Sequence, residues 1–287
     1  MEKLSFDDYS PAEMEKRVEA ACRSKANLSL LSLLMLAILA GIFISIGAEF
    51  YTLVVFDSSL SIGLTRVIGG IAFSSGLILV LVAGAELFTG NCLIMMGFAS
   101  KVVSYKQLLK NWGLCYVGNF AGSIVIVFLM YLTSQWKMGN YMLGAKAVLI
   151  AAEKVNLTFL EAFSRGIMCN MLVCLAVWLC FSARSVISKV AAIIFPITAF
   201  VASGFEHSIA NMYFIPMGII LKQNDAVLNV MYQTNPSASL ERLNVKGLLW
   251  NLLPVTFGNI IGGAIMVGLV YWLIIVLPER LKRKRAQ

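Results

Sequence analysis

Charge is what this chain has least of. Only 13% of its 287 residues are Asp, Glu, Lys or Arg while 59% are hydrophobic, and a mean hydropathy of +0.83 is far too apolar for an ordinary soluble domain. Histidine occurs once, as His207. With no cysteine or carboxylate cluster at ligand spacing around it, no metal site is expected. The six cysteines form no C-x-x-C pair and five of them lie in apolar stretches, so they read as buried small hydrophobes. There is no G-x-x-x-x-G-K-[ST] run and no G-x-S-x-G elbow, which argues against an ATP-driven pump and a serine hydrolase. No enzymatic activity and no cofactor are expected. The first 26 residues are charged and lack the apolar core of a signal peptide.

The hydrophobic residues that remain are gathered into six long segments, about Leu28 to Tyr51, Arg66 to Phe98, Leu108 to Thr133, Leu157 to Phe181, Ile187 to Leu221 and Leu248 to Val276. Each is long enough to cross a hydrocarbon core of about 30 Å as a helix. The spacing therefore predicts an all-α, multi-pass membrane protein. Its domains are an N-terminal amphipathic helix within residues 1–26, a transmembrane unit over 27–277 and a basic tail over 278–287. The net charge of +8 is explained by lysines and arginines at the ends of the spans, not by nucleic acid. Fifteen of these cations fall on the side of the termini and seven on the other, with Arg165 left inside a span, so both termini are expected in the cytoplasm. Ser10-Pro11-Ala12-Glu13 has capping-box spacing and starts a helix. Met14, Val18, Ala21 and Cys22 then fall on one face. Two readings stay open for it: a plug at a pore mouth, or a lead-in helix resting on the membrane surface.

The second and fifth segments are over-long, and both contain the same interruption. Gly84-Ala-Glu86-Leu-Phe-Thr-Gly-Asn91 and Gly204-Phe-Glu206-His-Ser-Ile-Ala-Asn211 share the pattern G-x-E-x-x-x-x-N, 120 residues apart. Polar, irregular backbone at membrane depth is tolerated only where protein encloses it or it lines a cavity. The third and sixth segments repeat Asn111, Gly118, Asn119, Gly122 and Tyr131 as Asn251, Gly258, Asn259, Gly262 and Tyr271, all at an offset of 140. Three spans per half make the second half an upside-down copy of the first, a 3+3 inverted repeat with broken second and fifth helices meeting near mid-membrane. The glycines of the third and sixth spans read as close-packing positions.

Within this frame the intramembrane polar groups are the candidates for function. His207 is the one side chain able to change charge near neutral pH without a large shift. Thr89 is placed to present a hydroxyl to it if the two breaks face each other. Glu86 and Glu206, with Asn91 and Asn211, are expected to shape the breaks by accepting backbone hydrogen bonds. Phe73, Leu77, Leu87, Phe88 and Phe200 flank the breaks as apolar constrictions that would resist hydrated ions. Lys154 is either a snorkelling anchor or a cation that concentrates anions at a pore mouth.

Along nearly its whole length the chain resembles the formate/nitrite transporter family, through Ala85-Glu-Leu-Phe-Thr-Gly-Asn91, Asn111-Trp112, Gly118-Asn119, Asn170-Met-Leu-Val-Cys-Leu-Ala-Val-Trp178, Phe200-Val-Ala-Ser-Gly-Phe-Glu-His207-Ser-Ile-Ala-Asn-Met212 and Pro254-Val-Thr-Phe-Gly-Asn259. The resemblance implies an aquaporin-like protomer, a homopentamer with one pore per protomer, a bacterial cytoplasmic membrane and small monovalent anions as substrates, with protons as possible co-substrates. It also implies that Thr89 and His207 form the central polar pair, that Phe73 with Phe200 and Leu77 with Leu87 form two constrictions, and that Lys154 and Asn170 are polar residues beside the pathway. The stretch from Gly204 to Met212 is similar to formate channels, whereas Thr89-Gly90-Asn91 is closer to nitrite or hydrosulfide members. A facilitator of aquaporin type for neutral solutes is the rival from another class, and the lack of paired N-P-A tripeptides speaks against it.

Overall fold

A computed structural model describes residues 8–278 and residue 281. Lys3, Arg280 and the basic residues Lys282, Arg283, Lys284 and Arg285, counted above for orientation, lie outside the described residues. The described chain is all helical. Five helices are long and apolar enough to cross a membrane: α2 (Leu30–Val55), α3 (Ile62–Ala83), α6 (Tyr105–Leu132), α8 (Phe159–Ser182) and α12 (Val245–Ile260), the last continuing with wider π winding to Val276. α1 (Pro11–Ala26) precedes them, and between them lie α4 (Phe88–Asn91), α5 (Ile94–Ala99), α7 (Met142–Val155), α9 (Val186–Ala202), α10 (Ser208–Leu221) and α11 (Asp225–Thr234). Large apolar side chains such as Leu31, Ile62, Phe195 and Ile187 are exposed on the outside, as in a protein whose surrounding solvent is lipid.

Local chemistry sets the ends of these helices. Ser29, Ser104, Thr158, Asn224 and Asn244 each accept a backbone N–H of the first turn that would otherwise be unpaired. Ser104 with Gln107, and Thr158 with Glu161, close reciprocal capping boxes. Ser10 and Glu13 do the same for α1, with the Glu13 carboxylate 2.9 Å from the Ser10 backbone nitrogen and 2.8 Å from its hydroxyl. The two breaks begin at Gly84 and Gly204, whose φ angles of 85° and 69° are in the left-handed region. Glycine enters that region without a Cβ penalty, and both helices stop there.

Close packing at glycine holds the bundle. A Cβ on Gly122 would sit 2.1 Å from the Ile38 carbonyl oxygen, and one on Gly262 would sit 2.1 Å from that of Ile167. The backbones of α2 and α6, and those of α8 and the π-wound part of α12, therefore touch at equivalent places, which is the packing role expected of these residues. All six cysteines are buried and free.

Three features depart from the sequence-based expectation. The helix pieces around the two breaks are unequal, because α3 is a full 22-residue span before its break, while α9 and α10 have 17 and 14 residues. Helix α7 forms where a connecting loop was expected. It is too short to span a membrane, yet Leu143, Ala147, Val148 and Ala151 line one buried face at helical spacing, and Ala147 and Ala151 meet α10 at Gly218. Finally, α1 turns Met14, Val18 and Cys22 onto protein and not onto a membrane surface. These side chains are at most 4% exposed, and the Cys22 thiol donates to the Leu93 carbonyl at 3.6 Å.

Candidate functional site

The chain after Gly84 runs extended to Leu87 and restarts as α4. The chain after Gly204 does the same up to His207 and restarts as α10. Neither break can complete its own backbone hydrogen bonds, and one asparagine serves each. Asn119 Oδ1 accepts from the Phe88 N–H at 2.9 Å, while its Nδ2 donates to the carbonyls of Glu86 at 3.0 Å and Ala37 at 2.7 Å. Asn259 accepts from the Ser208 N–H at 2.9 Å and donates to the carbonyls of Glu206 at 3.0 Å and Gly166 at 2.8 Å. Each amide thus pins a break to two neighbouring helices. Backbone satisfaction had been expected of Glu86 and Glu206, and it comes instead from these asparagines. The reason is geometric, since a side chain on the break points away from the break's own N–H groups, and an amide offers both donor and acceptor where a carboxylate only accepts.

The two glutamates are engaged otherwise. Glu86 takes the Lys25 ammonium at 2.5 Å on one oxygen and the Asn91 amide at 2.7 Å on the other. Glu206 takes Lys154 at 2.9 Å and Asn211 at 2.6 Å. Asn91 and Asn211 pass the network on to Asn111 and Asn251, and these donate back to the carbonyls of Lys25 and Lys154. Lys154 is therefore a partly buried ion-pair partner and not a snorkelling anchor. Lys25, missed in the sequence, is its counterpart. A signal was available in Lys25-Ala-Asn27-Leu-Ser29 and Lys154-Val-Asn156-Leu-Thr158, which align at an offset of 129.

The breaks meet at His207. Its Nε2 lies 2.9 Å from Thr89 Oγ1, while its Nδ1 accepts from the Ala210 N–H at 3.0 Å and so caps α10. A backbone N–H can only donate, so in the neutral ring the proton sits on Nε2 and faces the threonine. Asn170 and Cys174 hold Thr89 by its carbonyl, at 3.2 and 3.3 Å. On the other side the ring stacks on Phe200 at 6.0 Å, and Phe200 meets Phe73 edge-on at 5.5 Å.

A cavity of about 150 Å³ runs to this point, lined by Phe73, Phe200, Lys154, Glu206 and His207 among others. Thr89 is fully buried behind the ring, with Leu77 and Leu87 each 2% exposed. Phe88 packs on Tyr116 and Trp112 of α6 and is not part of the cavity wall. Among the described residues no cluster of three or more His, Cys, Asp or Glu is arranged to hold a metal.

A sequence model described as "Formate/nitrite transporter" matches residues 12–273. The chain belongs to the formate/nitrite transporter family. It is 44% identical to the formate channel FocA of Escherichia coli (strain K12) over 273 residues, covering 94% of this chain and 95% of that protein. Two solved structures of the family's kind are similar in fold. A pentameric formate channel with formate bound has a TM-score of 0.78 at 45% identity, covering 86% of this chain and 98% of the other. An ion channel of the FNT family has a TM-score of 0.77 at 26% identity, covering 91% and 98%. Like these relatives, this family member is a multi-pass membrane protein.

Proposed function

We propose that the chain conducts formate across a membrane through a pore in each protomer, and that it catalyses no reaction. The carrying observation is the 2.9 Å contact between Thr89 and His207. It puts one polar pair at the end of a cavity whose last walls are the rings of Phe73 and Phe200. Similarity to formate channels favours formate over nitrite and hydrosulfide, which the same site would also fit.

On this reading Lys154 and its neighbours draw a monovalent anion into the cavity. The anion sheds water between Phe73 and Phe200, and its proton affinity rises, because a bare charge in an apolar ring costs several kcal/mol. The pair Thr89 and His207 offers it hydrogen bonds, the anion takes up a proton from solution in the cavity, and the neutral acid passes Leu77 and Leu87. Asn170 holds Thr89 in place, and Glu86, Asn91, Glu206 and Asn211 hold the breaks. The finer architecture belongs to the same proposal: six spans in a 3+3 inverted repeat with an aquaporin-like protomer, assembled as a homopentamer in a bacterial cytoplasmic membrane. Both termini, meaning the N-terminal region 1–26 and the tail 278–287, face the cytoplasm around the channel domain 27–277. The recurrence of the lysine, glutamate and asparagine network in both halves supports the repeat.

Flux into liposomes holding the purified protein tests this, comparing formate, nitrite, hydrosulfide, chloride and glycerol at pH 5.5 and 7.5. Formate is expected to move fastest, and faster at the lower pH, with glycerol excluded. Glycerol flux without anion flux would overturn the reading in favour of a neutral-solute facilitator.

A further inference from the structure

Arg165 lies inside α8, where a cation is costly unless it has work to do. Its backbone carbonyl accepts the Glu206 N–H at 3.3 Å, just as the Leu36 carbonyl accepts the Glu86 N–H at 3.1 Å. The offset between Leu36 and Arg165 is the same 129 that relates Lys25 to Lys154. Equivalent places in the two halves thus hold a leucine at one mouth and an arginine at the other.

The cavity that ends at His207 is lined by three cations, Arg66, Lys154 and Arg165, and two carboxylates, Glu153 and Glu206. Lys154 is taken by Glu206. Arg66 and Glu153 share the rim and also line a neighbouring surface hollow together. Arg165 has no carboxylate within 4 Å among the described residues. The nearest acid on its own helix, Glu161, has one oxygen engaged by the N–H and hydroxyl of Thr158 at 2.9 and 2.7 Å. Arg66 and Arg165 are both without a carboxylate partner among the described residues, and of the two Arg165 is the one whose own backbone holds the break, through the Glu206 N–H. Its planar fork suits an anion with two oxygens in one plane, such as formate or nitrite, better than a single-atom anion.

We propose that Arg165 binds the incoming carboxylate in this cavity before the ring constriction and makes the two mouths of the pore unequal, with tighter entry from the mouth that carries Lys154 and Arg165. This rests on the anion-conducting function proposed above. The test uses right-side-out and inverted membrane vesicles from cells that lack other formate channels, measuring the concentration dependence of formate uptake in each. In the wild type, KM should differ between the two vesicle types. Arg165→Leu should raise KM by about 3- to 10-fold in the low-KM type, with its maximal rate rising in step so that the ratio of maximal rate to KM stays equal in the two directions. Arg165→Lys, which keeps charge and loses the fork, should fall between. An unchanged KM in both types, an equal rise in both, or a loss of maximal rate alone would overturn the proposal. Wild-type uptake no faster than in vesicles without the protein would instead overturn the anion-conducting function itself, so the two failures are distinguishable.

Discussion

Lys25 and Lys154 occupy the same place in the two halves of the chain. Each salt-bridges the glutamate of its own break, and each accepts an asparagine amide on its carbonyl. They differ in how wet they are. The Lys154–Glu206 side chains are 14% and 4% exposed, against 32% and 8% for Lys25–Glu86.

Double-mutant cycles should register that difference. With Lys154→Met, Glu206→Gln and the double variant, thermal unfolding in detergent is expected to give a coupling of about 1–3 kcal/mol. The matching cycle at Lys25 and Glu86 should give less than about 1 kcal/mol, because water screens the ammonium. Equal couplings would mean that burial is not what separates the two pairs.

Asn259→Leu should be among the most damaging single changes. It strands the Ser208 N–H and the Glu206 carbonyl in a buried setting and removes the tie to the Gly166 carbonyl of α8. At about 1–3 kcal/mol for each stranded group, a loss of roughly 2 kcal/mol or more is expected. Gly113→Ala is the control, since a Cβ there meets nothing within 4 Å, and its melting temperature should stay level or rise slightly.

His207→Asn should leave the fold intact, because asparagine is a good N-cap and its oxygen can accept the Ala210 N–H in place of Nδ1. It removes the ring proton that faces Thr89. Formate flux between pH 5.5 and 7.5 should then lose much of its pH dependence while the melting temperature changes little. A pH profile identical to the wild type would remove histidine from the transport step.

Cys22 reports the docking of α1. Burial pushes its thiol up to about 11, from an ordinary value of 9.0. The docked state therefore keeps a proton that the undocked state gives up, and docking should weaken as pH rises from about 9 toward 11. In a variant with Cys22 as the sole cysteine, maleimide labelling at pH 7.5 should be slow. Val18→Asp, which spoils the buried face, should accelerate it about tenfold or more. Rapid labelling of the parent would show that α1 does not stay packed.

Much of this was legible in the sequence because hydrophobic length and repeated motifs are written locally. The breaks at Gly84 and Gly204, the close-packing glycines, and the contact between Thr89 and His207 followed from spacing and from the matching of the two halves. The partners of the glutamates did not. Asn119 and Asn259 were visible as repeated residues, but nothing in one dimension says that an amide on a neighbouring helix completes a backbone 33 residues away, as Asn119 does for Glu86. Lys25 was hidden for a different reason. The offset of 129 holds from Lys25 and Lys154 through Leu36 and Arg165 to Ile38 and Ile167, but the first and fourth spans share so few residue types that only the short Lys-x-Asn-Leu stretch shows it. Helix α7 was missed because it is too short for a span and too apolar for an ordinary loop.

The orientation of the histidine ring limits the traffic it can carry. Its Nδ1 edge is occupied by the backbone of α10, so the ring meets the pathway with one edge only. It is a cul-de-sac for protons and not a stretch of wire. The Nε2–H can steer a passing anion by a hydrogen bond, but giving that proton up would leave an imidazolate, so the ring passes no proton along. Any net movement of protons with formate must then be carried by the substrate itself, as the intact acid, and the stoichiometry of the two cannot exceed one.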